Sequence, residues 1–350
     1  MNSTLSNINY SRVTRGIKLF LILTLIGLII VLYHSSFSET LVHLSSFRLS
    51  YLCLACSLVI LDFIIEGARI YIFAAKVHRG LSFGSCVRAA AVNIFIGGIT
   101  PSQTGGGIGQ IYVLYKEGMR ILDATVTSFL GFLGTAVFLP ICAILITLFA
   151  QPEIESYSFE IFSNTTVVIF CLIMMAVIFS LIAPGRFEAA IRFLIRKFPR
   201  VKRLLEKNNR VEYIIQLVKD YHELMLYFIK NGKRYLLGGL ILTALLFFNK
   251  FVIAYVVVRG LGLEAAFFDV IYLQMLLLLI FFFSPTPGAS GVAEISTVIV
   301  MGNIVPVSFE GSFILLWRFF TLFAGMIVGA IIIFGYLLKN PQHDNSQQKL

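Results

Sequence analysis

Ionisable side chains inside long apolar runs are the residues of this sequence best placed for chemistry, because each costs a few kcal/mol to hold in hydrocarbon unless it is paired or hydrated. Asp62, Glu66 and Arg69 stand at i, i+4 and i+7, which puts all three along one helix face. Glu66 and Arg69 suit an internal salt bridge, whereas Asp62, deeper in the run, should face a cavity or a base on another helix. Lys250, beside Asn249, lies mid-way along the apolar run 235–258, with about 12 Å of helix on either side. It suits the counter-charge of Asp62 or Glu294, or a ligand for phosphate. Arg318 follows the single tryptophan, Trp317, a turn or two inside the last run, where snorkelling to the outer interface competes with a functional role. Glu294 comes three residues after Gly291, in the first turn of a returning helix, where it can cap the helix or handle substrate or protons.

Two breaks rich in Pro and Gly lie among these charges. Thr100-Pro101-Ser102-Gln103-Thr104-Gly105 and Thr286-Pro287-Gly288-Ala289-Ser290-Gly291 both read Thr-Pro-x-x-(Ser/Thr)-Gly. Proline removes a backbone donor and clashes with the preceding turn, so neither segment continues as a straight helix. Broken backbone at membrane depth must be shielded by protein or line a wet cavity, which predicts two re-entrant hairpins. Thr100, Pro101, Thr104, Gly105 and Gln110 in the first, and Thr286, Pro287, Ser290, Gly291 and Glu294 in the second, are the substrate-binding candidates, together with Asp62, Glu66, Arg69, Lys250 and Arg318. The first hairpin offers only Gln110 where the second offers Glu294, so the two are not chemically equivalent. Close packing explains the glycines at 105–109 without a ligand, since no strand precedes them and no Lys-(Ser/Thr) follows. Catalytic residues stay unassigned, as no nucleophile and base share a recognisable spacing. Cys53 and Cys56 have no second pair or His cluster to complete a metal site, so no metal and no cofactor is expected.

The elements that carry these residues are membrane helices. Of the 350 residues, 58% are apolar and only 13% charged, against roughly 25% in an average soluble domain. Apolar stretches fall at 17–33, 51–75, 89–115 (interrupted), 122–150, 165–183, 235–258, 268–301 (interrupted) and 312–338. The first follows Arg12, Arg15 and Lys18 without a convincing cleavage site and reads as a retained signal anchor. The predicted fold class is all-α: one polytopic integral membrane bundle spanning residues 1–350, with about eight apolar segments, two of them broken. Lys and Arg concentrate before residue 19 and in 76–88, 116–120, 184–234 and 339–350, and are nearly absent from the intervening loops, which places both termini in the cytoplasm. The two hairpins then enter from opposite sides, giving an inverted repeat of halves 17–150 and 165–338. Segment 184–234 holds thirteen Lys and Arg against five acids and repeats apolar residues at helical spacing. It is either a pair of amphipathic helices on the anionic leaflet or ordinary topology bias packed on the bundle. Nothing in it requires nucleic acid.

The run from Asn93 through Gly97 to Tyr115, the block Pro285 to Glu294 and the pair Trp317-Arg318 resemble the lysylphosphatidylglycerol synthase transmembrane-region family, flippase-like membrane proteins of the UPF0104 type. That resemblance implies an eight-segment bundle with two re-entrant hairpins in a bacterial or archaeal cytoplasmic membrane, moving an aminoacylated phospholipid between leaflets. Many members carry Gly-Glu and then Arg after the first Pro motif, where this chain has no acid or base until Lys116, so lipid preference should differ. The lysyl-transferring members have a large soluble domain; this chain ends twelve residues after its last span and is not expected to be a synthase. The leading expectation is a translocase of lipid or lipid-linked precursor, its partners anionic phospholipid or polyprenyl-phosphate lipids and its headgroup site between the hairpins. The alternatives are a membrane transferase using Asp62, Glu66 or Glu294 as base, and a scaffold acting through 184–234. A homo-oligomer is compatible with all three.

Overall fold

The computed structural model describes residues 10–148, 168, 172, 175 and 210–338. The helices whose bounds lie among the described residues are, in chain order, α1 Tyr10–Ser35, α2 Phe37–Ser45, α3 Leu49–Val77, α4 Phe83–Gly98, α5 Gly106–Lys116, α6 Ile121–Leu148, α7 Arg210–Asn231, α8 Lys233–Gly260, α9 Phe267–Phe282, α10 Val292–Met301, α11 Val307–Arg318 and α12 Ala324–Leu338. A π-turn, Phe319–Phe323, joins α11 to α12. Among the described residues five segments are long and apolar enough to cross a membrane: Thr14–Ser35, Leu49–Val77, Ile121–Ile146, Lys233–Gly260 and Val307–Leu338. Leu21, Leu25, Ile29, Ile60, Ile144, Ile241 and Ile331 point outward on them. Such an apolar exterior suits lipid and not water. The protein is a multi-pass membrane helix bundle.

The predicted spans correspond to these helices, with two additions and one exception. The short helix α2 lies in what read as a loop, because Glu39 stands in its first turn and Ser312 binds its Thr40 carbonyl at 3.1 Å. The last span begins at Val307, directly after Pro306, earlier than the predicted 312. Of the expected span 165–183 only residues 168, 172 and 175 are described, each in helical conformation, and 184–209 lies outside the described residues. The described end of the basic segment forms α7 and the start of α8. Met225 and Phe228 of α7 are buried against Phe73, Val126 and Leu130, and Lys76 lies over the rings of Tyr227 and Tyr235 at 5.5 and 5.6 Å. This end of the segment therefore packs on the bundle.

Both predicted breaks interrupt helices. α4 and α9 have 16 residues each, about 24 Å, and α5 and α10 have 11 and 10, about 15–17 Å, so none of the four crosses a hydrocarbon layer of about 30 Å alone. α4, α5 and α12 share one core through Ala89, Ala90, Val92, Val113, Leu114 and Ile333. α3, α8, α9 and α11 share another, through Ala55, Ala254, Val257, Leu277, Phe313 and Trp317. The breaks lie where these two cores meet.

Candidate functional site

The two six-residue motifs share the backbone of their central residues and part at the sixth, where Gly105 has φ of −78° and Gly291 φ of 82°. Ser102 and Gln103 have φ of 50° and 55°, and the residues at the same motif positions, Gly288 and Ala289, both have φ of 56°. In each motif the Thr carbonyl accepts from the amide three residues on, Gln103 at 3.2 Å and Ala289 at 3.1 Å, and the Pro carbonyl accepts from Thr104 at 3.2 Å and Ser290 at 3.0 Å. A helix then starts one residue after each motif, at Gly106 and Val292. Left-handed φ at two successive central residues makes a tight reversal that Gly accepts freely and Ser, Gln or Ala accept at a cost. The sequence repeat is thus also a repeat of local shape.

The two turns touch. Pro101 and Pro287 form an antiparallel backbone bridge, and Ser102 Oγ donates to the Ser284 carbonyl at 3.3 Å. α1 runs past both, with Gly16 against the Ile99 carbonyl and Gly27 against Glu294. A Cβ at these glycines would sit 2.6 Å from Ile99 O and 3.2 Å from Glu294 Oε2. Between these contacts Thr24 hydrogen-bonds Ser290 at 2.7 Å. Access to the turns is unequal, since residues 101–104 are exposed and residues 287–290 are buried.

Within the first break, Thr100 Oγ1 donates to the Ile96 carbonyl at 2.8 Å and accepts from the Gly105 amide at 3.0 Å, closing the loop. Thr104 donates to the Pro101 carbonyl at 3.0 Å. Buried Gln110 accepts from Asn93 at 2.7 Å, tying α5 to α4. In the second break Ser284 and Thr286 hydroxyls bond at 2.9 Å. Glu294 Oε2 caps α10 by accepting from the Gly291 amide at 2.6 Å, where Gly291 has φ of 82°. Arg318 Nη2 donates to the Gly288 carbonyl at 2.9 Å, and its Nε lies 3.1 Å from Glu294 Oε1. The side chains of Arg318 and Glu294 are 5% and 0% exposed, so Arg318 does not snorkel to an interface. It turns inward because Glu294 and an unpaired turn carbonyl sit there, and it fastens the second turn to the last span.

The other predicted charges pair as well. Lys250 Nζ lies 2.7 Å from Asp62 Oδ2, with side chains 27% and 11% exposed, and Asn249 donates to Asp62 Oδ1 at 3.3 Å and to the Leu58 carbonyl at 3.0 Å. Arg69 reaches Glu66 at 2.6 Å, Thr135 at 3.2 Å and the Gly131 carbonyl at 3.3 Å. Lys250 therefore meets Asp62, and Glu294 is matched by Arg318 instead. The three pairs bring each carboxylate proposed as a base into contact with a cation.

Three polar contacts escaped sequence reasoning. Thr24 was legible only as a lone hydroxyl in an apolar run. Glu310, buried, lies with its Oε2 3.0 Å from His34 Nδ1. Arg88, Ser85 and Tyr336 converge on Glu117, Arg88 at 2.8 Å and Ser85 at 2.6 Å, so that α4, the end of α5 and the end of α12 are clasped together. Burial disfavours the Glu117 charge, but hydrogen bonds from Ser85, Tyr336 and Arg88 outweigh it and hold the carboxyl below its ordinary range. Among the described residues no group of His, Cys, Asp and Glu has the clustering of a metal site.

With this geometry in view, comparison with known proteins gives two findings. A family profile described as "Lysylphosphatidylglycerol synthase TM region" matches residues 17–329. A "UPF0104 membrane protein" of Archaeoglobus fulgidus is 22% identical over 261 residues, covering 74% of this chain and 78% of that protein.

Proposed function

The chain belongs to the lysylphosphatidylglycerol synthase TM region family, and from that premise we propose that it is a translocase for a lipid or lipid-linked precursor, its headgroup handled where the two turns meet. The observation that carries this reading is the contact between two equivalent Thr-Pro turns at Pro101 and Pro287, from which four half-length helices diverge. Helix pairs of this length around a central break are how many transporters bring helix ends and polar backbone to the bilayer midplane. In this reading α4–α5 and α9–α10 are re-entrant hairpins of opposite sidedness, halves 17–150 and 165–338 form an inverted repeat, and both termini are cytoplasmic, as the Lys and Arg distribution supports. The headgroup enters over the exposed turn 101–104, while the acyl chains stay in lipid. Anionic phospholipid or polyprenyl phosphate fits a path beside Lys250 and Arg69. Arg318 holds the second turn and acts as a positioning residue.

The transferase alternative is weakened by the engagement of Asp62, Glu66 and Glu294, each held by a cation or a backbone amide. Reconstitution of the full chain into liposomes with fluorescent phospholipids tests the proposal. Headgroup translocation above protein-free vesicles is expected, and its absence across a panel that includes polyprenyl phosphates overturns the reading. A scaffold acting through 184–234 predicts instead that variants at Pro101 and Pro287 leave function intact.

A further inference from the structure

The three ion pairs inside the bundle sum to no net charge, so an anion cannot take a cation from any of them without leaving a carboxylate behind. The pairs are not equally able to give one up. Arg318 is held by Glu294 and the Gly288 carbonyl, and Arg69 by Glu66, Thr135 and the Gly131 carbonyl. Among the described residues Lys250 is held by Asp62 alone, and its side chain, at 27%, is the most exposed of the three cations. A lysine ammonium on a flexible stem also reorients more readily than a guanidinium fixed in a fork of acceptors.

From this asymmetry we propose that the Asp62–Lys250 pair couples anion binding to uptake of a proton, so that a phosphate headgroup and a proton travel together. This deepens the translocase reading and rests on it for the identity of the anion as a lipid. When the phosphate oxygen replaces Asp62 Oδ2 as acceptor of the Lys250 N–H, Asp62 keeps only Asn249. One proton from water then bonds to Asp62 Oδ2, and the phosphate retains its charge. Departure of the headgroup returns Lys250 to Asp62 and releases that proton, so the buried charge is unchanged throughout.

Among the described residues no other cation is paired with Asp62. On α3 itself Glu66 and Arg69 satisfy each other, and Lys76 lies near the end of the helix under Tyr227 and Tyr235. α8 carries Lys233, Arg234 and Arg259 at its ends. α6 carries Asp123, which is paired with Arg120, and α4 carries Arg88, which is committed to Glu117. The Phe319–Phe323 turn carries no charge, and Arg318 before it is held by Glu294.

The test is calorimetric titration of the purified full chain in detergent with short-chain phosphatidylglycerol, repeated in buffers of different ionisation enthalpy. Wild type should take up about one proton per bound lipid near neutral pH, with affinity falling roughly tenfold per pH unit on the alkaline side. In D62N binding should persist with no proton uptake and a flat pH profile. Wild-type binding without proton uptake overturns the inference whether or not D62N folds, and so does undiminished uptake in a folded D62N. Absence of lipid binding overturns it together with the translocase reading. Binding with proton uptake, but without translocation in liposomes, supports the coupling and overturns the translocase reading alone.

Discussion

Replacing Arg318 by Met tests whether the last span and the second turn are joined as described. The substitution keeps an unbranched chain of similar reach, so the loss is one of charge and hydrogen bonds more than of volume. It leaves Glu294, 0% exposed, with no cation, and the Gly288 carbonyl with no donor. Removing one partner of a buried pair costs about 3–5 kcal/mol, and an orphaned buried carbonyl adds about 1–3 kcal/mol. A loss of roughly 4–8 kcal/mol is comparable to the whole stability of many domains, so R318M should be recovered in low yield or be strongly thermolabile. E294Q/R318M removes the stranded charge while a Gln oxygen still accepts from the Gly291 amide. The double variant should therefore recover most of the deficit and keep only the cost of the Gly288 carbonyl, about 1–3 kcal/mol. The measurement is a double-mutant cycle of thermal unfolding in one detergent, followed by size-exclusion chromatography. An R318M protein as stable as wild type, or a double variant no better than R318M, would refute the inward, paired placement of Arg318.

Three further outcomes follow from the same geometry. At the second turn, G288A should lose roughly 1–2 kcal/mol from left-handed strain alone, plus the contact of a Cβ 2.9 Å from Phe20 and 3.1 Å from the Gly98 carbonyl. A289G next to it, at φ 56°, should be neutral or stabilising, and equal thermal stabilities for the two variants would contradict the left-handed turn. Pro101 and Pro287 bridge the two turns, and positions 102 and 286 flank that bridge on the two sides of the contact. S102C/T286C in a background without the native cysteines should oxidise readily, seen as a gel shift that reverses with reductant, and the oxidised form should stop lipid passage if the turns part during transport. For Glu117, whose folded carboxyl titrates below its unfolded value, the stabilisation is complete above the unfolded pKa of about 4.3 and is lost as pH falls through the lowered folded value. E117Q should flatten the acid limb of a stability-against-pH curve measured from near neutral pH downward, and an unchanged limb would assign it elsewhere.

The spans were legible in the sequence because hydrocarbon imposes one rule, about 20 apolar residues per crossing, and this chain follows it at α1, α3, α6, α8 and the α11–α12 segment. The breaks were legible because Pro101 and Pro287 cannot continue a helix. Glu66 with Arg69 could be read from spacing on one helix, and Lys250 with Asp62 from depth and opposite charge. Arg318 with Glu294 could not. Position near a helix end suggests an interface, and only tertiary structure shows that the last span delivers Arg318 to the carbonyl of a left-handed turn. The shared backbone of the two motifs was equally out of reach. Ser-Gln and Gly-Ala have no common propensity for φ near 55°, and the surrounding contacts impose it on both. The Glu117 clasp joins residues from three elements, with Arg88 and Tyr336 alone 248 positions apart, a distance over which local pattern carries no signal.

The passage of α1 across both turns also bears on how the molecule is made. Thr24 and Ser290 are 266 residues apart. At synthesis rates of about 5–20 residues per second, the N-terminal helix waits roughly 13–50 seconds in the bilayer before its partner is made. Throughout that interval Thr24 and the bare flank of Gly27 lack Ser290 and Glu294, whereas Gly16 can meet Ile99 much earlier. Assembly thus closes late on this flank of its first helix, and a nascent chain arrested before residue 291 should leave Thr24 and Gly27 open to crosslinking by lipid-embedded probes.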